Sequence, residues 1–357
     1  MNIMVFIPNL DYGGVSNYSI RSVEMLKEEY ENVYLVTFNN SRKFECNELC
    51  LIEGEKLINK ISNLRKFIKN KKINKVITSI DLAPVITKIS CLGIKVDIFS
   101  IFHMRPELYK LNSNLILKNK IFDYLLEVSF KISKNIITVS KGLEEEVKEK
   151  YSKFNNKILT IYNPIIKELE KKEVNYVDIE NKKEINILNV GWIYDLKNQM
   201  EILEVIKLFD NDRVKLTIIG GIKDEVYYKK LLKFIEENDI KDVKFIGEVS
   251  NVKEYFKKVD LYVLSSKSEA LPTVLIEALE NNVPIIANDC KYGPREILES
   301  GTFGVIYNNG SFDLKEKIEK VINNNRLYNS LIKKSGLKAK EFTYENILEK
   351  YICLLES

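Results

Sequence analysis

Short runs of β-branched and other apolar residues alternate with amphipathic helical stretches along almost the whole chain. The runs in the first half are Ile3–Ile7, Val33–Thr37, Lys75–Ser79, Val96–Phe102, Asn135–Val139 and Ile158–Tyr162. Continuous apolar strands that alternate with helices are typical of a parallel sheet covered by helices on both faces. The first half of the chain therefore predicts a doubly wound α/β domain.

The same alternation restarts after a polar stretch rich in Lys, Glu and Asn. Later apolar runs are Ile185–Val190, Val214–Ile219, Val243–Ile246, Leu261–Leu264 and Pro284–Ala287, and helical patterns resume between them. We predict an α/β fold of two Rossmann-like domains facing a cleft. The predicted boundaries are residues 1–164, a linker at 165–184 and a second domain at 185–341, followed by a final amphipathic helix at 342–357.

Composition excludes several classes of protein. The 357 residues are 45% hydrophobic, which is enough for two cores, and the formal net charge of +4 is too small for a dedicated nucleic-acid binder. The five cysteines show no CxxC pair and no zinc-ligand spacing. This usage favours reduced thiols and a cytoplasmic location, without a metal or a cofactor.

No membrane-spanning or secretory segment is predicted. The N-terminal MNIMVFIPNL lacks a basic n-region and resembles a first strand, and charged residues interrupt the apolar stretch from Val76 to Phe102. Residues 56–75 form a basic amphipathic helix, with apolar positions at Leu57, Ile61, Leu64 and Phe67. Such a helix could contact an anionic membrane at the inner face, or it could pack its apolar stripe on the first sheet.

Ligands of doubly wound sheets bind beyond the carboxyl ends of the strands, so the loops at those ends hold the candidate residues. Gly13 and Gly14 follow the first strand and open a helix, where backbone amides could approach an anion, although a tight turn explains them equally well. His103, the only histidine, follows the run DIFSIF, with Arg105 and Glu107 in the same loop. A lone histidine is usually structural. Its position at the carboxyl end of a strand supports a functional role as strongly as a structural one.

Two loops of the second half carry charged residues at the same kind of position. Gly191 permits a tight turn in GWIYDLKNQ, and Lys197 starts the next helix, where a cation and free amides suit a diphosphate. Glu269 and Glu277 occur in SEALPTVLIEAL, with Pro272 and Thr273 at the start of a predicted helix. Each carboxylate can accept hydrogen bonds from sugar hydroxyls.

These motifs resemble those of retaining GT-B glycosyltransferases, in particular family 4 enzymes that make surface polysaccharides. The likeness rests on the EX7E segment SEALPTVLIEAL, with Ala270 and Leu271 where Gly and Phe are common, and on CKYGPREIL, VSKGLEEEV and TIYNPI. It covers nearly the whole chain, and it implies that the final helix at 342–357 crosses back to the first domain. The implied activity is metal-independent transfer of a hexose or N-acetylhexosamine from a nucleotide-sugar, with UDP the expected nucleotide. The implied acceptor is a saccharide, a lipid-linked saccharide or a protein.

The resemblance also assigns roles to residues. Glu269 would contact the donor sugar, Glu277 the ribose, Lys197 the diphosphate and His103 the transferred sugar. The remaining implied donor-binding positions are Gly13 and Gly14 near the phosphates, Gly191, the backbone from Leu271 through Pro272 to Thr273, and Gly247 to Val249 at the base.

One position departs from the family pattern. Family members often have a diphosphate-binding Arg after the glycine that corresponds to Gly191, but this chain has Trp192, which carries no charge. A non-catalytic GT-B subunit or partner protein therefore stays an alternative, as does a nucleotide-sugar epimerase, for which no acid–base pair is evident. The DND sequence at 210–212 is predicted to be a solvated turn and not a metal site.

Overall fold

The computed structural model describes residues 1–11, 13–40, 44, 46–104, 116–170, 175–209, 213–249, 251–308 and 310–357, with backbone alone for 116–119. It divides into two compact units. The first comprises Met1–Lys167 together with Thr343–Ser357, and the second comprises Glu168–Phe342.

In its described residues the first unit contains two parallel sheets, one of seven strands and a separate one of two strands. Its strands are β1 (Asn2–Phe6), β2 (Asn9–Leu10), β3 (Asn32–Thr37), β4 (Asn39–Asn40), β5 (Leu49–Leu51), β6 (Lys75–Ser79), β7 (Asp97–Phe102), β8 (Asn135–Thr138) and β9 (Ile158–Thr160). Its helices are α1 (Gly14–Leu26), α2 (Leu57–Asn70), α3 (Ala83–Ser90), α4 (Ile116–Ile132) and α5 (Lys141–Lys150). Among the described residues, seven strands pair in the order β5-β3-β1-β6-β7-β8-β9. Strands β2 and β4 form the separate sheet. Strand β1 lies in the middle of the seven-stranded sheet. Its sequence is continuously apolar because helices cover both faces of the sheet.

The second unit repeats this architecture. Its strands are β10 (Ile185–Val190), β11 (Val214–Ile219), β12 (Val243–Gly247), β13 (Leu261–Leu264), β14 (Ile285–Asn288) and β15 (Val305–Tyr307). Its helices are α6 (Gln199–Lys207), α7 (Glu225–Glu237), α8 (Lys253–Phe256), α9 (Thr273–Glu280), α10 (Pro294–Ile297), α11 (Ser311–Ile322) and α12 (Asn325–Ala339). The strand order in the described part of this unit is β12-β11-β10-β13-β14-β15, all parallel. The chain reverses direction across the sheet between β10 and β13, which makes their carboxyl ends a switch point.

The C-terminal helix α13 (Tyr344–Glu356) packs within the first unit. Thr343 caps it by accepting a hydrogen bond from the Asn346 amide at 3.5 Å. The Tyr344 hydroxyl donates to Glu24 of α1 at 3.0 Å. The buried side chains of α13 are Tyr344, Ile347, Leu348, Tyr351, Leu354 and Leu355. This apolar stripe explains the helical pattern seen in the sequence.

The predicted fold class is confirmed, and the central strands begin and end within two residues of their predicted limits. The short edge strands β5 and β15 were not predicted, whereas β9, also of three residues, was predicted because its apolar run continues through Ile161 and Tyr162. The polar stretch predicted as a linker is anchored at both ends. Ile166 is 1% exposed and bridges Thr343 in the first unit, whereas Ile179 is fully buried in the second core.

Helix α2 packs its apolar stripe on the first sheet. Leu64 and Ile68 are fully buried and belong to the core formed with β1, β3 and β6. The Phe67 ring meets Tyr34 edge-on at 5.6 Å. Of the two alternatives for residues 56–75, packing on the first sheet therefore describes the buried face of this helix. Within the described ranges, no helix combines the length and the apolar character needed to cross a bilayer.

Candidate functional site

Lys197 and Glu269 meet at the switch point of the second sheet. Lys197 ends a short turn after β10, Glu269 lies in the loop after β13, and these two strands are neighbours. The Lys197 Nζ lies 2.6 Å from Glu269 Oε1. Both side chains are mostly withdrawn from solvent, at 19% and 13% exposure, respectively. The sequence-predicted cation and carboxylate therefore form a sheltered ion pair.

The ionisation of Lys197 reflects two opposing effects. Burial alone would lower the pKa of the ammonium, but the charge of Glu269 and its hydrogen bond outweigh burial and raise the pKa of Lys197 above its ordinary value. Lys197 is therefore positively charged at neutral pH. A positive charge held in this position suits an anionic ligand.

Hydrogen bonds to backbone carbonyls hold the loops at this edge of the sheet together. The Ser265 hydroxyl donates to the Lys197 carbonyl at 2.8 Å, and the Lys267 amide donates to the Leu196 carbonyl at 2.9 Å. The Glu269 amide donates to the Lys291 carbonyl at 2.8 Å. These contacts fix the position of each charged side chain before any ligand arrives.

Gly191 allows the Lys197 side chain to run beside the backbone. Its φ of +157° is at the limit of the region that favours glycine. A Cβ built on Gly191 would lie 3.5 Å from Cδ and Cε of Lys197. A larger side chain would therefore compete for the space that the lysine stem occupies.

Glu277 lies on α9 and faces the same region as Glu269. The hydroxyl of Tyr262, on β13, is buried, and that burial together with the charges of Glu269 and Glu277 raises the pKa of Tyr262 well above its ordinary value. Both carboxylates are thus close enough to influence one hydroxyl. The glutamates of the EX7E motif lie on the same side of the unit.

The N-terminus of α9 lies between these two glutamates in the chain. Pro272 is its N-cap, no side chain caps it, and its first turn contains no acidic residue. The Leu275 amide donates to the Pro272 carbonyl at 3.0 Å, and the first N–H groups of an α-helix have no partner within the helix. The positive end of the helix dipole is therefore available to an anion beside Leu271 and Thr273.

Trp192 uses its ring for packing. A Cβ built on Gly221 would lie 2.6 Å from Trp192 Cζ3, so the indole lies directly against that glycine. The Trp192 carbonyl accepts a hydrogen bond from Gln199 Nε2 at 3.0 Å. A second cation lies over the neighbouring Tyr194 ring, since Lys223 Nζ is 4.6 Å from the ring centroid. The pKa of Tyr194 is raised overall, because burial and the charge of Glu269 outweigh the opposite influence of Lys197.

Cys290 is a neighbour of the ion pair that the sequence reasoning missed. Its side chain is 8% exposed. Burial and the charge of Glu269 raise the pKa of its thiol to about 12, against the opposite influence of Lys197. The thiol is thus protonated at neutral pH. The sequence signal that could have identified Cys290 is its position at the start of CKYGPREIL, shortly after the end of β14.

Gly247 ends β12 and Val249 follows it, at the same carboxyl edge of the sheet. Gly247 has a φ of +81°, and its carbonyl accepts a hydrogen bond from the Gly220 amide at 2.9 Å. Val249 is half-buried. Two strands separate this loop from β13, the strand that precedes Glu269.

The remaining predicted residues lie in the first unit. Gly13 caps α1, and nothing lies within 4 Å of a Cβ built on Gly13 or Gly14. His103 follows β7, and its ring meets Tyr18 of α1 edge-on at 4.7 Å. The Tyr18 hydroxyl bonds the Tyr351 hydroxyl of α13 at 2.5 Å, a contact that sequence reasoning could not detect. Burial lowers the pKa of His103 to about 3, so the imidazole is neutral at pH 7.

Some predicted positions lie outside the described residues, namely Arg105, Glu107 and the DND sequence at 210–212. In the part of the chain that the structure describes, no three His, Cys, Asp or Glu side chains are grouped as a metal site.

A sequence profile described as "Glycosyl transferases group 1" matches residues 171–337, a little under half of the chain. This range contains Lys197, Glu269 and Glu277. Residues 171–337 are therefore similar to the glycosyl transferases group 1 family. The family-level resemblance predicted from the motifs is thus confirmed for the second unit.

Several relatives of this group 1 domain are named as glycosyltransferases. An uncharacterized glycosyltransferase of Haemophilus influenzae is 29% identical over 60% of this chain and 59% of its own length. The Campylobacter jejuni GalNAc-alpha-(1->4)-GalNAc-alpha-(1->3)-diNAcBac-PP-undecaprenol alpha-1,4-N-acetyl-D-galactosaminyltransferase is 26% identical over 99% of this chain and 98% of its own length. The capsular polysaccharide biosynthesis glycosyltransferase CapH of Staphylococcus aureus is 29% identical over 56% of this chain and 52% of its own length. The chain thus matches just over half of the first and third relatives and nearly all of the second.

Solved structures similar to the whole chain carry the same fold. Anabaena Alr3699/HepE in complex with UDP has a TM-score of 0.83 at 15% identity, covering 100% of both chains. WaaG, a glycosyltransferase involved in lipopolysaccharide biosynthesis, has a TM-score of 0.74 at 14% identity, covering 98% of both chains. At these identities the likeness shows the fold alone, which is GT-B with a group 1 domain as its second unit.

Proposed function

We propose that the protein is a retaining glycosyltransferase that transfers a hexose or an N-acetylhexosamine from a UDP-sugar. The observation that carries this proposal is the ion pair of Lys197 and Glu269 beside the uncapped N-terminus of α9. The pair places one fixed cation, one carboxylate and a row of amides at the carboxyl edge of a group 1 domain. That set matches the needs of a nucleotide-sugar, which has an anionic diphosphate linked to a polyhydroxyl ring.

The diphosphate is the leaving group, and its developing charge must be stabilised in the transition state. Lys197 and the first-turn amides of α9 supply that stabilisation without a metal ion. Lys223, which lies over the Tyr194 ring, supplies a further positive charge in the region where Trp192 replaces the usual Arg. In the ground state Glu269 holds Lys197, and its second oxygen accepts a hydrogen bond from a donor-sugar hydroxyl.

The other proposed contacts are those that the family resemblance implies. Glu277 accepts hydrogen bonds from the ribose diol, and the loop from Gly247 to Val249 holds the base. His103 is neutral and therefore binds a hydroxyl of the transferred sugar as a hydrogen-bonding partner and not as a cation. The bond between the anomeric carbon and the diphosphate breaks, a bond to the acceptor oxygen forms on the same face, and the acceptor proton passes to the departing phosphate.

The proposed acceptor is a lipid-linked saccharide in surface glycan synthesis. Support comes from the Campylobacter jejuni relative, whose name specifies a saccharide on PP-undecaprenol and an alpha linkage. Retention yields an alpha product from an alpha-configured donor, so the linkage in that name agrees with a retaining reaction. We place the reaction in the cytoplasm, since all five cysteines are free thiols.

The test is hydrolysis and transfer with a panel of nucleotide-sugars. Glu269→Ala and Lys197→Ala should each lower the rate about 10²–10³-fold, because each removes a contact to the donor. A second ion pair provides a matched control. Lys267 and Asp195 join the same two loops at 2.8 Å, but they are 44% and 70% exposed, so Lys267→Ala should change the rate little.

A wild-type protein that binds UDP but neither hydrolyses nor transfers any sugar would favour the non-catalytic alternative suggested by Trp192. Full activity in Glu269→Ala would refute the proposed role of the ion pair. An equal loss in Lys267→Ala would mean that the pair only holds the loops together.

A further inference from the structure

The first turn of α6 contains a buried carboxylate, Glu201. Its residue is 6% exposed although it is only the third residue of the helix. An acidic residue in a first turn commonly stabilises a helix from the surface, through the helix dipole. Burial of a carboxylate is costly unless its oxygens accept hydrogen bonds. The partners of Glu201 therefore indicate why it is held inside the second unit.

Three donors from three separate segments converge on Glu201. Its Oε2 accepts hydrogen bonds from the Tyr307 hydroxyl at 2.7 Å and from Asn198 Nδ2 at 3.0 Å, and its Oε1 accepts one from the Gly310 amide. Tyr307 ends β15, Gly310 is the N-cap of α11, and Asn198 is the N-cap of α6. The carboxylate thus joins the starts of two helices to the end of a strand. Among the described residues it does so through neutral donors and without an ion pair.

Asn198 connects this carboxylate to Lys197. It directly follows Lys197 and has a left-handed backbone, with a φ of 51° and a ψ of 41°. Asparagine tolerates this conformation better than most residues, and it turns the chain between the short turn that ends at Lys197 and α6. N-cap side chains commonly accept a hydrogen bond from a helix amide, but the Asn198 side chain makes no such bond and donates to Glu201 instead. The Lys197 carbonyl is held separately by the Ser265 hydroxyl at 2.8 Å.

We propose that Glu201 is a positioning residue, which acts through Asn198 to hold Lys197 in the orientation that meets Glu269. The left-handed turn sets the direction in which Lys197 leaves the backbone, and Glu201 fixes that turn to β15 and α11. An apolar side chain could fill the same space, but it would leave Asn198 without its acceptor. The inference deepens the proposed function, on which the role of Lys197 in binding a diphosphate rests. The orientation of Lys197 can nevertheless be measured without a ligand.

The experiment measures how fast an N-hydroxysuccinimide ester acetylates Lys197 in the full chain, read by peptide mass spectrometry, and the Kd for UDP by calorimetry. Glu201→Met keeps the length of the side chain but removes its carboxylate oxygens. Lys197 should then react about tenfold faster, and the Kd for UDP should rise about tenfold. Asn198→Gly should reproduce both changes with little loss of stability, because glycine adopts this φ freely and the other two donors still satisfy Glu201.

Glu201→Gln should restore both values to those of the wild type. Its amide oxygen can accept the Gly310 amide, and its amide nitrogen can donate to the side-chain oxygen of a rotated Asn198. A residue that only fills space would show no such difference between Met and Gln.

Tyr328→Phe is the matched control, because it removes a buried hydroxyl of the same unit that donates to the Asp260 carbonyl at 2.9 Å. Asp260 precedes β13, so this contact lies at the amino edge of the sheet, opposite Lys197. The control should lose stability in urea yet keep the labelling rate and the Kd of the wild type. If Glu201→Met does not fold, Asn198→Gly decides alone.

Unchanged labelling of Lys197 in Asn198→Gly, or an equal increase in Tyr328→Phe, would overturn the proposal. A wild-type protein that fails to bind UDP, while the variants show the expected labelling, would uphold the positioning role of Glu201 and contradict the proposed function instead.

Discussion

His103 offers a test at the scale of one residue, since it is the only histidine in the chain. Its pKa of about 3 in the folded protein lies below the ordinary value of about 6.5. The unfolded chain therefore binds a proton between these values and the folded protein does not, so stability falls as pH drops below about 6.5. Between pH 7 and pH 5 the expected loss is about 2 kcal/mol from this residue.

Urea unfolding at pH 7 and pH 5 measures that loss, and His103→Gln should remove this share of the pH dependence. The NMR signals of the single imidazole should not titrate between pH 5 and pH 8. A titration with a midpoint near 6.5 would show that the ring is hydrated and that its proposed neutral role needs revision.

Residue-scale features were predictable where the signal was local in sequence. Lys197 and Glu269 could be found because the ends of adjacent parallel strands meet, and both residues follow such strands. Tyr18 could not be found in this way, because its partner Tyr351 is 333 positions away and each is an ordinary apolar position of an amphipathic helix. The role of Cys290 depends on burial beside two charges, which a list of cysteines does not contain.

At the scale of elements, the start of α9 depends on Gly293. This glycine has a φ of +98°, and a Cβ built on it would lie 2.4 Å from Cδ of Pro272, the N-cap of α9. Gly293→Ala should therefore cost about 1–3 kcal/mol for the backbone conformation and a similar amount for the clash. It should also shift the first turn of α9 and weaken UDP binding, as measured by urea unfolding and calorimetry.

Gly301→Ala separates these two effects. Gly301 has a similar φ of +110°, but nothing lies within 4 Å of its built Cβ. This variant should lose stability from the backbone alone and keep its affinity for UDP. Equal losses in the two variants would mean that the contact with Pro272 does not position α9.

Central elements were predicted well because burial on both faces makes their strands continuously apolar. The three-residue edge strands β5 and β15 were not, because no apolar run extends beyond them as Ile161 and Tyr162 extend β9. Helix α2 shows a different limit. Its sequence indicated an apolar and a basic side, but which apolar residues stay exposed depends on the position of α3, which Arg65 fixes through backbone carbonyls.

At the scale of the whole molecule, the restart of the strand–helix alternation was enough to predict two α/β units. The exact limits of the two units were harder to predict. Ile166 and Ile179 lie within a polar stretch, yet each is buried in a different unit. Single apolar residues in polar surroundings produce no periodic signal, so their tertiary roles appear only in the structure.

Two cores in one chain also predict how a ligand changes thermal unfolding. The residues proposed to bind UDP lie mainly in the second unit, so UDP should raise the transition of that unit. At a concentration 100 times the Kd, binding adds about 2.7 kcal/mol. For a domain of this size the melting temperature should rise by about 5–10 °C.

EDTA should leave this calorimetric shift unchanged, because Lys197 and the amides of α9 are proposed to neutralise the diphosphate without a metal. Glu277→Ala should abolish the shift, since its carboxylate is assigned to the ribose. His103→Gln should preserve it, since His103 lies in the first unit and is assigned to the sugar, which UDP lacks. A shift that disappears with EDTA would instead require a metal ion in the donor complex, and a shift lost in His103→Gln would mean that His103 takes part in binding the nucleotide itself.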